Sequence, residues 1–228
     1  MTSTSDGCAS STAEDRLEAA GRRAAKVIEH LWKQDIIDPP IGSKHPLAKH
    51  SLDVINAIIL RNGWTWLLPY KGNGPPQWCT MTDGYCWTEA GMDPSWLRDY
   101  WASTDRMLDW ALYRRWNPEV NKSKPNPAPA AGTPRRLLVD LRKPLTIDPR
   151  AGDVVLVGTG KRHAGDHGTL LMGYADGEYD TISGNGGGVG PNGDPRDFRG
   201  GISRRNYKIG TGGYEPMWLI RPAPSDLP

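Results

Sequence analysis

One cysteine lies where the chain could activate it as a nucleophile. Cys79 follows the extended Pro75-Pro76 pair and begins a segment with helical character, residues 79–90. The unpaired amides and the positive dipole end at a helix N-terminus favour thiolate over thiol, and the thiolate is the form that attacks acyl carbon. A free cysteine is more often a small buried hydrophobe. The assignment of Cys79 as nucleophile therefore depends on a base elsewhere in the chain.

His167 is the candidate base. It begins a predicted strand, and Asp176-Gly177 downstream is a strong hairpin signal. A three-residue loop, 175–177, would place His167 opposite Asn185, with Ser183 on the same face of the sheet. A two-residue loop would shift the pairing by one residue and turn them to opposite faces. With the longer loop, the sequence predicts a cysteine–histidine–asparagine set of the thiol-hydrolase type.

The remaining cysteines and histidines have weaker claims. Cys86 lies two turns beyond Cys79, about 10 Å along a helix axis, too far for a disulfide, so we expect it to pack in the core. His163 competes as the base, but we expect a solvated position because its turn is rich in Gly, Lys and Arg. A zinc site from both cysteines, His163 and His167 would lack a C-x-x-C knuckle, so we predict no metal and no cofactor. Surface or helix-cap positions are expected for His30, His45 and His50.

The period of the apolar pattern changes in the middle of the chain. Four helices are predicted in the first half: one that begins at the candidate N-cap Thr12, and others over residues 46–61, 79–90 and 95–116. Short β-type runs broken by Gly, Pro and Asp follow at Leu137–Leu141, Asp153–Val157, Thr169–Tyr174, Tyr179–Ser183, Ile202–Tyr207 and Met217–Ile220. Helices followed by strands predict an α+β fold, in which the helices pack on an antiparallel sheet.

Length and spacing predict one domain. Residues 12–221 form it, with the Pro/Asn/Ala-rich segment 117–134 as an insertion loop, residues 1–11 as a flexible tail and residues 222–228 as a C-terminal tail. At 228 residues the chain is long enough to bury a core. No internal repeat is visible.

Composition and charge exclude several classes of protein. The net charge of +2, without a dense Lys/Arg run, argues against a nucleic-acid partner. The longest apolar run, residues 54–60, is far too short to cross a bilayer, so no membrane insertion is expected. The N-terminal residues carry no signal-peptide pattern, and three cysteines, an odd number, argue against a disulfide framework. We therefore expect synthesis in the cytoplasm with reduced thiols.

Several motifs occur in an order that points to one family. PPQWCTMTDGYCWTEAG has a Trp-Cys pair that opens a helix, and AGDVVLVG is a strand that precedes a histidine. GDHGTLLMGYADGEYDTISGNG combines the histidine strand with its hairpin, and GISRRNYKIG forms a closing strand. Together they resemble the CHAP family, the cysteine- and histidine-dependent amidohydrolases and peptidases of bacterial wall hydrolysis. The resemblance covers about residues 12–221 and implies a papain-like fold, with N-terminal helices packed on a C-terminal antiparallel sheet.

The resemblance also implies roles for individual residues. Cys79 would be the nucleophile, His167 the general base and acid, and Asn185 the polar group that orients the imidazole. Ser183 stands where many relatives have Glu, and a neutral Ser cannot stabilise an imidazolium as a carboxylate would. Gln77 would help to hold the oxyanion beside the Cys79 amide. The place of the calcium loop of some relatives holds YKGNGPPQ, so no calcium is expected.

Three functions fit these features. One is an amidase or endopeptidase that hydrolyses amide bonds of peptidoglycan, as a phage lysin or a wall hydrolase. Another is a secreted antibacterial effector toxin of the same chemistry, with an immunity protein as partner. The third is a non-catalytic virion or binding protein that retains the fold. We expect action on the cell wall after holin, virion or dedicated secretion delivery.

Glycoside cleavage is disfavoured by the acidic residues of the chain. It canonically uses two carboxylates that flank the scissile bond. Asp83, Glu89 and Asp166 are scattered in the sequence, and we interpret them as solvated helix or turn residues. An amide bond is therefore the expected target.

Overall fold

The protein has an α+β fold in which five helices precede an antiparallel sheet. A computed structural model describes residues 11–72, 78–117, 122–124, 135–196 and 200–228. Within them the helices are α1 (Ala13–Lys33), α2 (Ala48–Arg61), α3 (Cys79–Glu89), α4 (Leu97–Tyr100) and α5 (Thr104–Ala111). The strands are β1 (Arg115–Asn117), β2 (Lys122–Lys124), β3 (Leu137–Asp140), β4 (Val154–Gly158), β5 (His167–Ala175), β6 (Glu178–Ser183), β7 (Gly188–Val189), β8 (Pro195–Arg196), β9 (Ser203–Lys208) and β10 (Glu215–Arg221). Among the described helices, none has the length and apolar character needed to cross a bilayer.

Eight of the described strands form one antiparallel sheet, in the order β3-β10-β4-β5-β6-β9-β7-β8. Its helix-facing side contributes Leu156, Leu170 and Ile182 to the main core, which the helices complete. The opposite side carries a smaller apolar cluster that includes Val155 and Leu171. The predicted order of helices and strands, and the packing of helices on an antiparallel sheet, are therefore confirmed.

α3 lies at the centre of this arrangement. α1 packs along α3, and Thr12 caps α1 by a reciprocal pair of hydrogen bonds with Asp15, as its sequence predicts. α2 contacts α3 as well, while β5 and β6 cover another side of it. All residues of α3 except Tyr85 and Glu89 are consequently buried. Cys86 lies in the main core, the packing position that we expected.

The β5–β6 hairpin differs from the prediction in its loop but not in its outcome. The loop has two residues, Asp176 and Gly177, both left-handed with φ values of 52° and 79°. A loop of this length would turn His167 and Ser183 to opposite faces of the sheet. A bulge at Met172 shifts the pairing by one residue. The register beyond the bulge is therefore the one that a three-residue loop would have produced.

The single helix predicted over residues 95–116 is wrong. The chain there forms two short helices, α4 and α5, and Ser103 starts the second by accepting the amide hydrogen of Arg106 at 3.3 Å. β1 follows and pairs with β2 inside the predicted insertion loop. β7 and β8 were also not predicted, because strands of two or three residues show no alternation that can be recognised. The rest of the insertion loop (118–121 and 125–134) and residues 1–10 of the predicted tail lie outside the described residues.

The predicted C-terminal tail, residues 222–228, packs in part against the rest of the fold, because Pro222, Ala223 and Asp226 are buried. Asp226 is buried and forms an ion pair with Arg136, with 2.6 Å between Oδ1 and Nη2. The guanidinium of Arg136 also lies between 3.9 and 4.6 Å from the ring centres of Trp96, Trp110 and Tyr113. This pairing joins residues 90 positions apart, so no local pattern could reveal it.

We expect Asp226→Asn to lower the free energy of unfolding by about 3–5 kcal/mol, because the substitution leaves the Arg136 charge buried without a counter-charge. Urea denaturation at neutral pH measures the change. The control is Asp53→Asn at the exposed pair with Lys49, which should cost less than about 1 kcal/mol. Equal, small losses for the two variants would contradict a structural role for the buried pair.

Candidate active site

α3 touches β5 and β6 at two glycines. A Cβ atom on Gly168 of β5 would lie 2.6 Å from Cγ2 of Thr80 and 3.0 Å from Oδ2 of Asp83. A Cβ atom on Gly184, the residue after β6, would lie 2.5 Å from Cζ3 of Trp78. These separations are too short for a real side chain, so only glycine lets the strands come this close to the helix. The residues that permit this close contact therefore lie on the strand side.

This contact determines the surroundings of Cys79, the first residue of α3, which is 5% exposed. Burial raises the pKa of its thiol to about 11, and the amide of Gly168 opposes that increase. A negative charge on Asp83 would raise the pKa further, while the amides of Thr80 and of Cys79 itself lower it. At rest the thiol is favoured, not the thiolate that the helix end alone would predict. Desolvation shifts a buried group by several pKa units, which exceeds the 0.3–1 kcal/mol or so of a typical helix-end interaction.

His167 is the first residue of β5 and is 2% exposed. Its Nε2 lies 2.9 Å from Oγ of Ser183. The backbone of Gly186 covers this pair, since a Cβ atom there would lie 3.2 Å from Nε2. Burial, and secondly the positive charge of Arg205, lower the pKa of His167 to about 4. The imidazole is therefore neutral at pH 7, which is the form that a general base requires.

Cys79 and His167 meet the start of β5 from different sides. Because side chains alternate along a strand, Gly168 faces α3 and His167 faces the opposite side of the sheet. Cys79 lies next to the Gly168 amide, near the strand end where the two sides meet. Burial raises the pKa of Tyr207 to about 12, and a negative charge on Cys79 adds to that increase. Tyr207 and His167 line one cavity, so the thiol lies within electrostatic reach of the histidine side.

The other predicted site residues have distinct positions. Ser183 makes a hydrogen bond to His167 of the kind that we expected from Asn185. Asn185 is buried in a left-handed conformation with φ of 55°, and its Oδ1 has no hydrogen-bond partner within the described part of the chain. Gln77, the candidate oxyanion group, lies outside the described residues. Ser183, as the hydrogen-bond partner of His167, can fix the orientation of the imidazole ring but brings no negative charge to an imidazolium.

Asp83 is the residue that sequence reasoning misjudged. We interpreted it as solvated, yet it is 0% exposed, and neither carboxylate oxygen has a hydrogen-bond partner among the described residues. Burial raises its pKa well above the ordinary range. Asp83 lies one helical turn after Cys79, in the contact with Gly168. That spacing of four residues from the candidate nucleophile was the signal in the sequence that could have identified it.

A cavity of about 330 Å³ opens on the His167 side of the sheet. Its lining residues come from β5, β7, β8, β9 and the adjoining loops: His167, Gly187, Gly188, Arg196, Arg205, Tyr207 and Tyr214. Cys79 is not one of them. A larger cavity, of about 490 Å³, lies beside His163 and contains neither Cys79 nor His167 among its lining residues. The smaller cavity is therefore the one associated with the candidate base.

The other histidines lie at the surface, as predicted. His163 is exposed, and its ring is edge-on to Trp218 with 5.3 Å between ring centres. Exposed positions are also occupied by His30, His45 and His50. Across the described ranges, no group of three or more His, Cys, Asp and Glu residues has an arrangement that could hold a metal ion.

Comparison with known proteins identifies no relative: no family model, curated protein or solved structure matches the chain. The function must therefore be inferred from the site itself. The site combines a thiol at a helix start, a neutral imidazole held by a hydroxyl, and backbone amides directed at the sulfur. These groups can supply a nucleophile, a base and donors to an oxyanion.

We expect the stability of the protein to fall on mild acidification because of His167. Its pKa lies at about 4 in the folded protein against 6.5 for the ordinary group, so its contribution is full above pH 6.5 and is lost as the pH falls to 4. From pH 7 to pH 4 the wild type should lose about 3 kcal/mol more than His167→Gln. Urea denaturation across this range measures the difference. His50→Gln, at an exposed site, should lose as much as the wild type, and parallel curves for wild type and His167→Gln would contradict a buried neutral imidazole.

Asp83 should have the opposite pH dependence. Its pKa in the folded protein lies above the ordinary value of 3.8, so its contribution is full below that pH and is lost as the pH rises. Each pH unit crossed before the folded-state pKa is reached costs the wild type about 1.4 kcal/mol. Asp83→Asn does not ionise, so its free energy of unfolding should increase relative to the wild type between pH 4 and pH 7. A difference between the two proteins that does not change with pH would show that Asp83 is ionised with a partner.

Proposed function

We propose that the protein is a papain-like cysteine hydrolase of the CHAP type, which cleaves amide bonds of bacterial peptidoglycan. One observation carries the proposal. The thiol of Cys79, at the start of α3, lies against the amide of Gly168. The residue before Gly168 is His167, which is buried and hydrogen-bonded to Ser183. A nucleophile at a helix start beside a base on an antiparallel sheet is the plan that the resemblance implies for a papain-like enzyme.

In the proposed reaction, His167 removes the thiol proton of Cys79 as the sulfur attacks the carbonyl carbon of an amide. Ser183 is hydrogen-bonded to Nε2. We therefore assign Nδ1 as the ring nitrogen that accepts the thiol proton. The amides at the start of α3 stabilise the oxyanion of the tetrahedral intermediate. Its collapse breaks the C–N bond, and the imidazolium protonates the leaving amine. A water molecule deprotonated by His167 then hydrolyses the thioester and regenerates the thiol.

The neutral resting state determines when charges form in this reaction. With pKa values of about 11 for Cys79 and about 4 for His167, the free site holds a thiol and an imidazole. Separated charges in a buried site are costly unless they form next to each other and are hydrogen-bonded. We therefore assign proton transfer to the moment of attack, when the substrate carbonyl takes up the negative charge. The thiol would react slowly with reagents that need a preformed thiolate.

The choice of an amide bond follows from the nucleophile and from the acids. A thiolate attacks acyl carbon, whereas glycoside cleavage uses two carboxylates that flank the bond. Asp83 is buried inside the helix–strand contact, Glu89 is exposed at the end of α3, and Asp166 is half-buried before β5. The wall itself is proposed on the motif resemblance, and a lysin, a wall hydrolase and an effector toxin share this chemistry.

A second candidate function is a non-catalytic virion or wall-binding protein. The observation that favours it is the covered state of the nucleophile. Cys79 is 5% exposed, it does not line the cavity beside His167, and burial raises its pKa to about 11. A protein that retained the fold and bound the wall without turnover would tolerate such a thiol.

Hydrolysis of intact peptidoglycan by the purified protein tests the first candidate. We expect mass spectrometry to detect fragments with new amino and carboxyl ends and no new reducing sugar ends. Cys79→Ala should abolish their release, because alanine packs at the helix start but provides no nucleophile. Cys86→Ala is the matched control on the same buried helix and should remain active.

Three results would count against the enzyme. New reducing sugar ends would contradict cysteine chemistry. Full activity of Cys79→Ala with loss in Cys86→Ala would contradict the assignment of the nucleophile. An absence of products from several wall types would favour the non-catalytic candidate.

A further inference from the structure

We infer that the cavity beside His167 binds a carboxylate of the substrate, and that Arg205 is the residue that recognises it. The inference rests on the proposed function for the identity of the substrate, but the anion site itself is argued from the cavity. A volume of about 330 Å³ is at the lower end of the range for small-ligand sites and fits a group of amino-acid size. None of the described residues that line it is acidic.

The register of the sheet brings Arg205 next to the candidate base. Ser183, which bonds to His167, pairs directly with Ser203 on β9. Arg205 is two residues further along β9, so its side chain points to the same face of the sheet as those of Ser203 and His167. The effect of its charge on the His167 pKa is the electrostatic consequence of this proximity.

Among the described residues, two arginines line the cavity, and they differ in how their charges are compensated. Arg196 forms ion pairs with Asp35 and Asp194 and donates to the carbonyl oxygens of Ile36 and Ile202. Its charge and its donors are therefore used within the fold. Arg205 has no ion pair with any described residue, and its guanidinium lies 5.0 Å from the ring centre of Tyr207.

Two other cations on β9 form ion pairs with acidic residues of the fold. Arg204 points to the other face of the sheet and pairs with Asp180 through two hydrogen bonds. Lys208 also points away from the cavity and pairs with Glu178. Of these three residues only Arg205 faces the cavity, and only Arg205 has no acidic partner among the described residues. A cation stacked on an aromatic ring, in a cavity whose described lining residues include no acid, is suited to a planar anion such as a carboxylate.

Occupation of this site would act on the base. The positive charge of Arg205 helps to lower the pKa of His167. A carboxylate bound to Arg205 would neutralise that effect and raise the pKa of the imidazole toward the working pH, where a general base is most effective. Recognition of the anion and activation of the base would thus be coupled.

A binding experiment tests the site without turnover, with Cys79→Ala as the parent protein. The probes are N-acetylalanyl-glutamate and N-acetylalanyl-glutamine, both with amidated C-termini, so that they differ in one carboxylate. Affinities are measured by NMR titration, which also follows the His167 ring. We expect the parent to bind the glutamate peptide about tenfold or more tightly than the glutamine peptide, because hydrogen bonds to ionised partners are the stronger ones. The glutamate peptide should also raise the pKa of His167.

The variants separate Arg205 from a general effect of charge. Adding Arg205→Gln should remove the preference for the glutamate peptide, and Arg205→Lys should retain part of it. Lys208→Gln is the control, because it removes the same charge from the same strand on the other face, and it should keep the preference. Equal or undetectable binding of the two peptides by the parent, or an unchanged preference in Arg205→Gln, would overturn the inference. Tighter binding of inorganic phosphate than of the glutamate peptide would overturn the assignment to a carboxylate.

Failure of the anion site and failure of the proposed function give different results. If the protein hydrolyses the wall but binds the glutamate and glutamine peptides equally, the proposed function stands and the role of Arg205 is overturned. A preference that depends on Arg205, in a protein that releases no wall fragments, would support the anion site and contradict the hydrolase.

Discussion

The close contact between α3 and the strands β5 and β6 is the constraint on which the site depends. It exists because Gly168 and Gly184 present no side chains to the helix. Cys79 begins the helix and His167 precedes Gly168, so one contact brings both to the start of β5. Any side chain at Gly168 would move the helix start away from the strand that carries the base. The same contact buries Asp83, which is therefore part of the interface between α3 and β5 and not a surface residue.

Burial decides the charge state of the site. The helix start and three amides favour a thiolate at Cys79, but desolvation has the larger effect and keeps the thiol protonated. The same cause keeps His167 neutral and raises the pKa of Asp83. An uncharged thiol and an uncharged imidazole are stable in this buried position, because they avoid the cost of isolated buried ions. It can nevertheless react if the charges form together on a bound substrate in a low-dielectric environment.

The sequence predicted the parts of the fold that local patterns determine. Thr12 and the apolar period identified α1, and β-type runs bounded by Gly, Pro and Asp identified the six longer strands of the sheet, because both signals lie within a few residues. The face shared by His167 and Ser183 was predicted from a loop of the wrong length, and a bulge at Met172 compensated for the error. The burial of Asp83 and of Asp226 was missed because α3 is covered on several sides and because Asp226 pairs with a distant arginine. Tertiary contacts of this kind leave no periodic mark in the chain.

The two sides of the sheet contribute different chemical groups to the proposed site. The helix side provides the thiol and its amides, and the opposite side provides the imidazole and a cavity with a cation. A cation beside a base is unfavourable for catalysis in the free protein, since it lowers the basicity of His167. A substrate anion that neutralises this cation would remove the second cause of the lowered pKa, after burial, so the base would gain strength when the cavity is filled. A base that is weak in the free protein would therefore gain strength when its own substrate binds.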